Sequence, residues 1–139
     1  MESARKPKIL LVEDNLINQR VVVLTLRHLH FDCDVASNGS EAFEKFKQKE
    51  YDIIFMDIQM PVLNGLEATK LIRNYEKSTG IKKGVFVIAL TANEPAEFSG
   101  KYLEAGMDGF IEKPLRAEQL SVYIDQLFNS RINETTPVE

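Results

Sequence analysis

Five short apolar runs punctuate the chain, and the stretches between them are polar or place apolar residues at helical spacing. The runs are Ile9–Val12, Cys33–Ala36, Ile53–Met56, Val85–Leu90 and Phe110–Ile111. The first, third and fourth are continuous rather than alternating, which is the pattern of strands covered on both faces. Helices are predicted over Leu16–Leu29, Glu41–Lys49, Leu66–Lys77, Pro95–Ala105 and Ala117–Phe128. Asn38 can cap the second of these, with Glu41 completing a capping box. The run Val21-Val22-Val23 weakens the first and leaves its buried face undecided, and Ser99-Gly100 interrupts the fourth. Strict alternation of strand and helix predicts an α/β protein with a doubly wound, five-stranded parallel sheet and five helices. The flavodoxin-like strand order 2-1-3-4-5 is expected.

With 139 residues the chain fits one domain. That domain is expected over residues 8–129, preceded by a lead at 1–7 and followed by a flexible polar tail at 130–139. The polar start of the chain predicts no signal peptide, and no apolar run is long enough to span a bilayer. The lone Cys33 cannot form an intramolecular disulfide, and its setting predicts a buried, unreactive thiol. A cytoplasmic location without membrane contact is therefore expected. A net charge of −4 argues against a nucleic-acid partner, which would need a basic stripe.

In an open parallel sheet, ligands bind beyond the carboxyl ends of the strands, at the switch in strand order. The strands flanking that switch end in Glu13-Asp14 and in Asp57. Three converging carboxylates stay ionised together only with a cation, and an all-oxygen donor set suits Mg²⁺. Each acid also has a simpler explanation: Asp14 as a helix cap, Asp57 as a turn residue ahead of Pro61 and Gly65. Thr91 can open a capping box with Glu94 ahead of Pro95, yet a hydroxyl at a helix entrance also suits an anion. Lys113, at the end of the last strand, can offset the acids and hold a phosphoryl oxygen. Jointly these residues describe phosphoryl transfer, with Asp57 as nucleophile and Thr91 and Lys113 binding the transferred group. None of them suits proton abstraction from water, which favours storing the phosphate. His28 and His30 lack ligand spacing with any carboxylate and read as surface or cap residues.

From about Lys8 to Phe128 the chain resembles the receiver domain of two-component response regulators. Val12-Glu13-Asp14-Asn15 is similar to the family's acidic pair, and Met56-Asp57-Ile58-Gln59-Met60-Pro61 to its phosphoacceptor segment. Ala89-Leu90-Thr91-Ala92 resembles the switch-hydroxyl segment, Lys113-Pro114 the lysine with its proline, and Phe110 the aromatic switch residue. The resemblance implies a phosphorylation-controlled module rather than an enzyme, loaded on Asp57 by a histidine kinase or a histidine phosphotransfer protein. Glu13, Asp14, Asp57 and the backbone carbonyl of Gln59 would surround Mg²⁺. Movement of Thr91 and Phe110 would then alter the face made by the fourth helix, last strand and last helix, a face compatible with a homodimer on phosphorylation. Gln59 and Asn93 would tune dephosphorylation. Glu13 stands where many members carry aspartate, and His30 where a glycine often closes the first helix. The wording around Glu13–Gln19 resembles receivers of hybrid sensor kinases more than free-standing ones, which would place the domain on the cytoplasmic side of a membrane-anchored parent. An aspartate-nucleophile hydrolase would need an acid at Gln59, and a flavodoxin-like cofactor binder a Ser/Thr/Gly-rich loop where Glu13-Asp14-Asn15 stands. An interaction-only receiver would not need Asp57, Thr91 and Lys113 together.

Overall fold

The structure, a computed structural model, describes residues 6–58, 64–81, 84–91, 99–113 and 115–135. Strands β1 (Ile9–Val12), β2 (Cys33–Ala36), β3 (Ile53–Asp57), β4 (Phe86–Thr91) and β5 (Gly109–Glu112) form one parallel sheet of order β2-β1-β3-β4-β5. Helices α1 (Leu16–His28), α2 (Gly39–Gln48), α3 (Gly65–Thr79), α4 (Ser99–Ala105) and α5 (Ala117–Thr135) connect and follow them.

Because successive side chains of a strand point to opposite faces, each continuous apolar run feeds two separate cores. Leu10, Val12, Ile54, Met56, Val87 and Ala89 pack with Ala42, Phe46, Ala68, Ile72 and Tyr102 on the α2–α3–α4 side. Ile9, Leu11, Ile53, Phe55, Ile88, Leu90 and Ile111 pack with Val22, Leu26, Leu120 and Ile124 on the α1–α5 side. That settles the ambiguity of Val21-Val22-Val23. Val22 and Leu26 face the sheet, whereas Leu16, Ile17, Val21 and Leu24 lie on the exposed side of α1.

The element ends show where side-chain chemistry overrode pattern. Asn15, not Asp14, caps α1, its side chain accepting from the Asn18 N–H at 2.9 Å. Asn38 caps α2 as expected, but Glu41 reaches back to the N–H of Ser37 rather than to that of the cap. His30 takes φ 72° at the end of α1, donating its N–H to the Arg27 carbonyl while Phe31 donates to that of Leu26. This is a Schellman closure built without glycine. The last helix does not stop at Phe128 but runs to Thr135, into the span expected to be a flexible tail. Of the segment Pro95–Ala105, Ser99–Ala105 is helical and residues 95–98 lie outside the described residues.

Two features tie the amino end of the sheet. Arg73 of α3 donates to the Gly106 carbonyl at 2.8 Å, to Glu76 at 2.9 Å and to Asp108 at 2.8 Å. Glu76 and Asp108 in turn accept the backbone N–H groups of Val85 and Val87. On β2, burial, aided by Asp34 and Asp32, pushes the Cys33 thiol up from 9.0 to about 11. It therefore stays protonated and unreactive at neutral pH.

Candidate functional site

The same alternation that divides the core builds the site. Glu13 continues the series Ile9, Leu11; Asp57 continues Ile53, Phe55; and Lys113 continues Ile111, so all three emerge on the α1–α5 side at the carboxyl edge. Asp57 is itself the last paired residue of β3, opposite Leu90, and so belongs to the strand rather than to a turn. Its placement is therefore as fixed as the sheet.

The Lys113 ammonium lies 3.3 Å from Glu13 Oε1 and 3.5 Å from Asp57 Oδ2. The Lys113 backbone N–H donates to the Thr91 carbonyl at 2.7 Å, tying the end of β5 to that of β4. Glu13 is 2% exposed and the Asp57 side chain 8%, while Asp14 is open to solvent. Each of the three acids offers an oxygen, and these oxygens lie within 4.8 Å of one another. Buried acids elsewhere are satisfied differently. Asp52 accepts the Lys8 N–H at 2.7 Å, and Glu76 pairs with Arg73 and the Val85 N–H. At the carboxyl edge, among the described residues, one lysine faces three carboxylates, and the surplus negative charge makes an all-oxygen seat for a hard divalent cation. The donor set therefore fits Mg²⁺.

Thr91 closes β4 and is buried at the same edge. The Phe110 ring lies outward on β5, 38% exposed and 6.3 Å from the Tyr102 ring at a tilt of 44°. Its carbonyl accepts the Tyr123 hydroxyl at 2.9 Å. The sheet thus brings Glu13, Asp14, Asp57, Thr91 and Lys113 to one edge, with Phe110 on the neighbouring face. Gln59 and Asn93 lie outside the described residues.

Two residues of the site escape a reading of the sequence. The Gln19 amide donates to the Glu13 carbonyl at 2.6 Å and to the Ser37 hydroxyl at 3.2 Å, lacing the ends of β1 and β2 together. Gly65, which reads as an ordinary turn glycine, approaches the Asp57 main chain so closely that a Cβ there would collide with the Asp57 carbonyl oxygen. The same Cβ would stand 2.9 Å from Met56 Cγ. Its N–H also donates to the Ile58 carbonyl at 3.1 Å, tying the start of α3 to the residue that follows β3.

Comparison with known proteins bears on this edge. Residues 9–125 match the response regulator receiver domain family. The chain is 42% identical over 115 residues to hybrid signal transduction histidine kinase F of Dictyostelium discoideum, with 83% of this chain and 10% of that protein aligned. It is 38% identical over 148 residues to histidine kinase 5 of Arabidopsis thaliana, with 91% of this chain and 16% of that protein aligned. The chain therefore spans only a small part of these relatives. Among solved structures, it superposes with a TM-score of 0.83 and 36% identity on the receiver domain of a Saccharomyces cerevisiae response regulator. That domain was crystallised with its histidine phosphotransfer signalling protein, and 91% of each chain is covered. The receiver domain of a Pseudomonas aeruginosa sensor histidine kinase, with magnesium coordinated in its active-site cleft, superposes with a TM-score of 0.78 and 34% identity. There 90% of this chain and 99% of that one are covered. Among the described residues no helix is long and apolar enough to cross a membrane.

Proposed function

This chain belongs to the response regulator receiver family of two-component and phosphorelay signalling, and from that premise we propose that Asp57 is its phosphoacceptor, loaded from a phosphohistidine in a Mg²⁺-dependent reaction. The observation that carries the reading is the ammonium of Lys113 held against Glu13 and Asp57, beside an exposed Asp14, at the switch between β1 and β3.

A carboxylate oxygen of Asp57 attacks phosphorus; the new O–P bond forms as the N–P bond breaks, and the bonding pair returns to the imidazole nitrogen of the donor. Lys113 holds a phosphoryl oxygen and keeps Asp57 aimed, and the Thr91 hydroxyl donates to a second oxygen. Glu13, Asp14, Asp57 and the Gln59 carbonyl would hold the cation, which would supply positive charge to neutralise the phosphoryl oxygens. With Thr91 drawn toward the phosphoryl group, Phe110 turns inward from its exposed position and the α4–β5–α5 face changes. Gln59 and Asn93 tune the lifetime of the acyl phosphate. The domain is in this reading a regulated acceptor and not a turnover enzyme.

The test is incubation with acetyl phosphate and Mg²⁺ followed by intact-mass measurement. One labile phosphoryl group is expected, and none when the metal is chelated. No labelling, or stable labelling at another residue, overturns the assignment. In the same reading, free Mg²⁺ at about 100 times its Kd stabilises the wild type by about 2.7 kcal/mol. Thermal melts of Asp14→Ala should shift far less, and equal shifts in both proteins would count against the metal site.

A donor protein has to cover this edge, and the apolar stripe of α1 borders it. Leu16 and Ile17, each 74% exposed, follow directly on Asn15, and Val21 and Leu24 extend the same face. A histidine phosphotransfer protein or histidine kinase is the proposed occupant. Ile17→Glu should slow transfer from a phosphorylated histidine donor by about tenfold or more. Its labelling by acetyl phosphate should match wild type, because the small donor needs no docking surface. Equal slowing with both donors would place the defect in the acid site.

A further inference from the structure

We propose that Gln19 is a positioning residue for the divalent cation, acting through the peptide that joins Glu13 to Asp14; this rests on the metal-site reading above.

Glu13 is tied at every point. Its N–H donates to the Ala36 carbonyl at 3.0 Å, its Oε2 accepts the Asn15 N–H at 3.1 Å, and its Oε1 faces Lys113. Asp14 is held by none of these devices. Among the described residues its carboxylate makes no hydrogen bond or ion pair, and it does not cap α1, because Asn15 does. The direction of that carboxylate is therefore set by its own backbone. The peptide plane entering Asp14 carries the Glu13 carbonyl, and that oxygen is what Gln19 grips at 2.6 Å. The orientation of the Gln19 side chain follows from chemistry: a carbonyl can only accept, so the amide must present its NH₂ group there. A second proton of the same group reaches Ser37 Oγ at 3.2 Å, anchoring the amide to the segment after β2. With the Gln19 backbone N–H donating to the Asn15 carbonyl at 2.9 Å, the first turn of α1 becomes a rigid arm that holds the Glu13–Asp14 peptide. Partners one step removed from the metal commonly change its affinity by about tenfold or more.

Calorimetric titration of Mg²⁺ into wild type, Gln19→Met and Gln19→Glu, with urea unfolding of each in the absence of metal, tests the assignment. Gln19→Met keeps the length and removes the donor, so its Mg²⁺ affinity should fall by about tenfold, while its metal-free unfolding midpoint drops only slightly with the loss of two hydrogen bonds. Gln19→Glu adds a negative charge beside the acids yet presents an acceptor to the Glu13 carbonyl, so its affinity should also fall. Tighter binding by Gln19→Glu would mean that charge alone governs the site and would overturn the proposal. So would wild-type affinity in Gln19→Met, or a metal-free midpoint lowered so far that the loss of affinity only tracks the loss of fold, which would make the role purely structural. If the wild type itself binds no Mg²⁺, the metal-site reading fails and the role of Gln19 fails with it. If wild type and Gln19→Met bind equally, only the role of Gln19 is lost.

Discussion

Asp57→Asn is expected to lose all phosphoryl uptake from acetyl phosphate while becoming more stable than the wild type in the absence of metal. The loss follows from chemistry, since an amide oxygen is no nucleophile toward phosphorus under these conditions. The gain follows from electrostatics. Like charges about 4.8 Å apart, the limit within which the three acids offer their oxygens, repel by about 3 kcal/mol at an effective dielectric constant of about 20. Among the described residues Asp57 has the carboxylates of Glu13 and Asp14 as like-charged neighbours and pairs with the Lys113 ammonium. Removing its charge leaves the Lys113–Glu13 pair intact, so a net gain on the order of 1 kcal/mol is expected. Added Mg²⁺ should then stabilise the variant much less than the wild type. Urea unfolding with and without metal, read beside intact mass, checks all three. A variant that is less stable without metal would show that Asp57 is chiefly a structural partner of Lys113.

The second large effect is expected at Gly65. A methyl group there meets the Asp57 carbonyl, Met56 Cγ at 2.9 Å and Ile58 Cα at 3.1 Å, and two of these three are backbone. The two backbone atoms cannot swing aside, so Gly65→Ala must push α3 away from the end of β3. Overpacking of this kind costs about 3 kcal/mol, which for a domain of this size lowers Tm by about 10 °C. Because the displaced atoms belong to Asp57 and its neighbours, phosphoryl uptake should fall as well. Gly80 provides the contrast. It closes α3 at φ 78°, and a methyl group on its Cα would find no heavy atom within 4 Å. Gly80→Ala should therefore cost only about 1 kcal/mol, from backbone strain alone. Its labelling should equal that of the wild type. Equal melting of the two variants would remove the close approach as the explanation.

The acid cluster is legible in the sequence because it depends on strand ends, and strand ends follow from short apolar runs. Parity does the rest: Glu13, Asp57 and Lys113 each stand two residues beyond a buried aliphatic or aromatic residue of the α1–α5 core. The cap of α1 is not legible in the same way, since Asp14 and Asn15 are both good caps and only the backbone geometry selects Asn15. The exposed face of α1 is hidden by its three consecutive valines. The extension of α5 beyond Phe128 is hidden because Ile132 is the sole apolar residue from Asn129 to Thr135, leaving no periodicity to read. Gln19 and Gly65 are illegible for another reason. Their partners are main-chain atoms brought close by the fold, and a main-chain atom leaves no mark in the residue alphabet.

The strand order divides the site between centre and margin. Glu13 follows β1 and Asp57 ends β3, and each of these strands has neighbours on both sides. Phe110 lies on β5 and Lys113 directly follows it, and among the described residues β5 is a margin strand paired with β4 alone. Margin strands open at lower free energy than interior ones, so amide hydrogen exchange should be slowest along β1 and β3 and faster along β5. Phosphate and cation would thus be received on the part of the molecule that opens least, while the groups that register their arrival sit where local opening is cheapest.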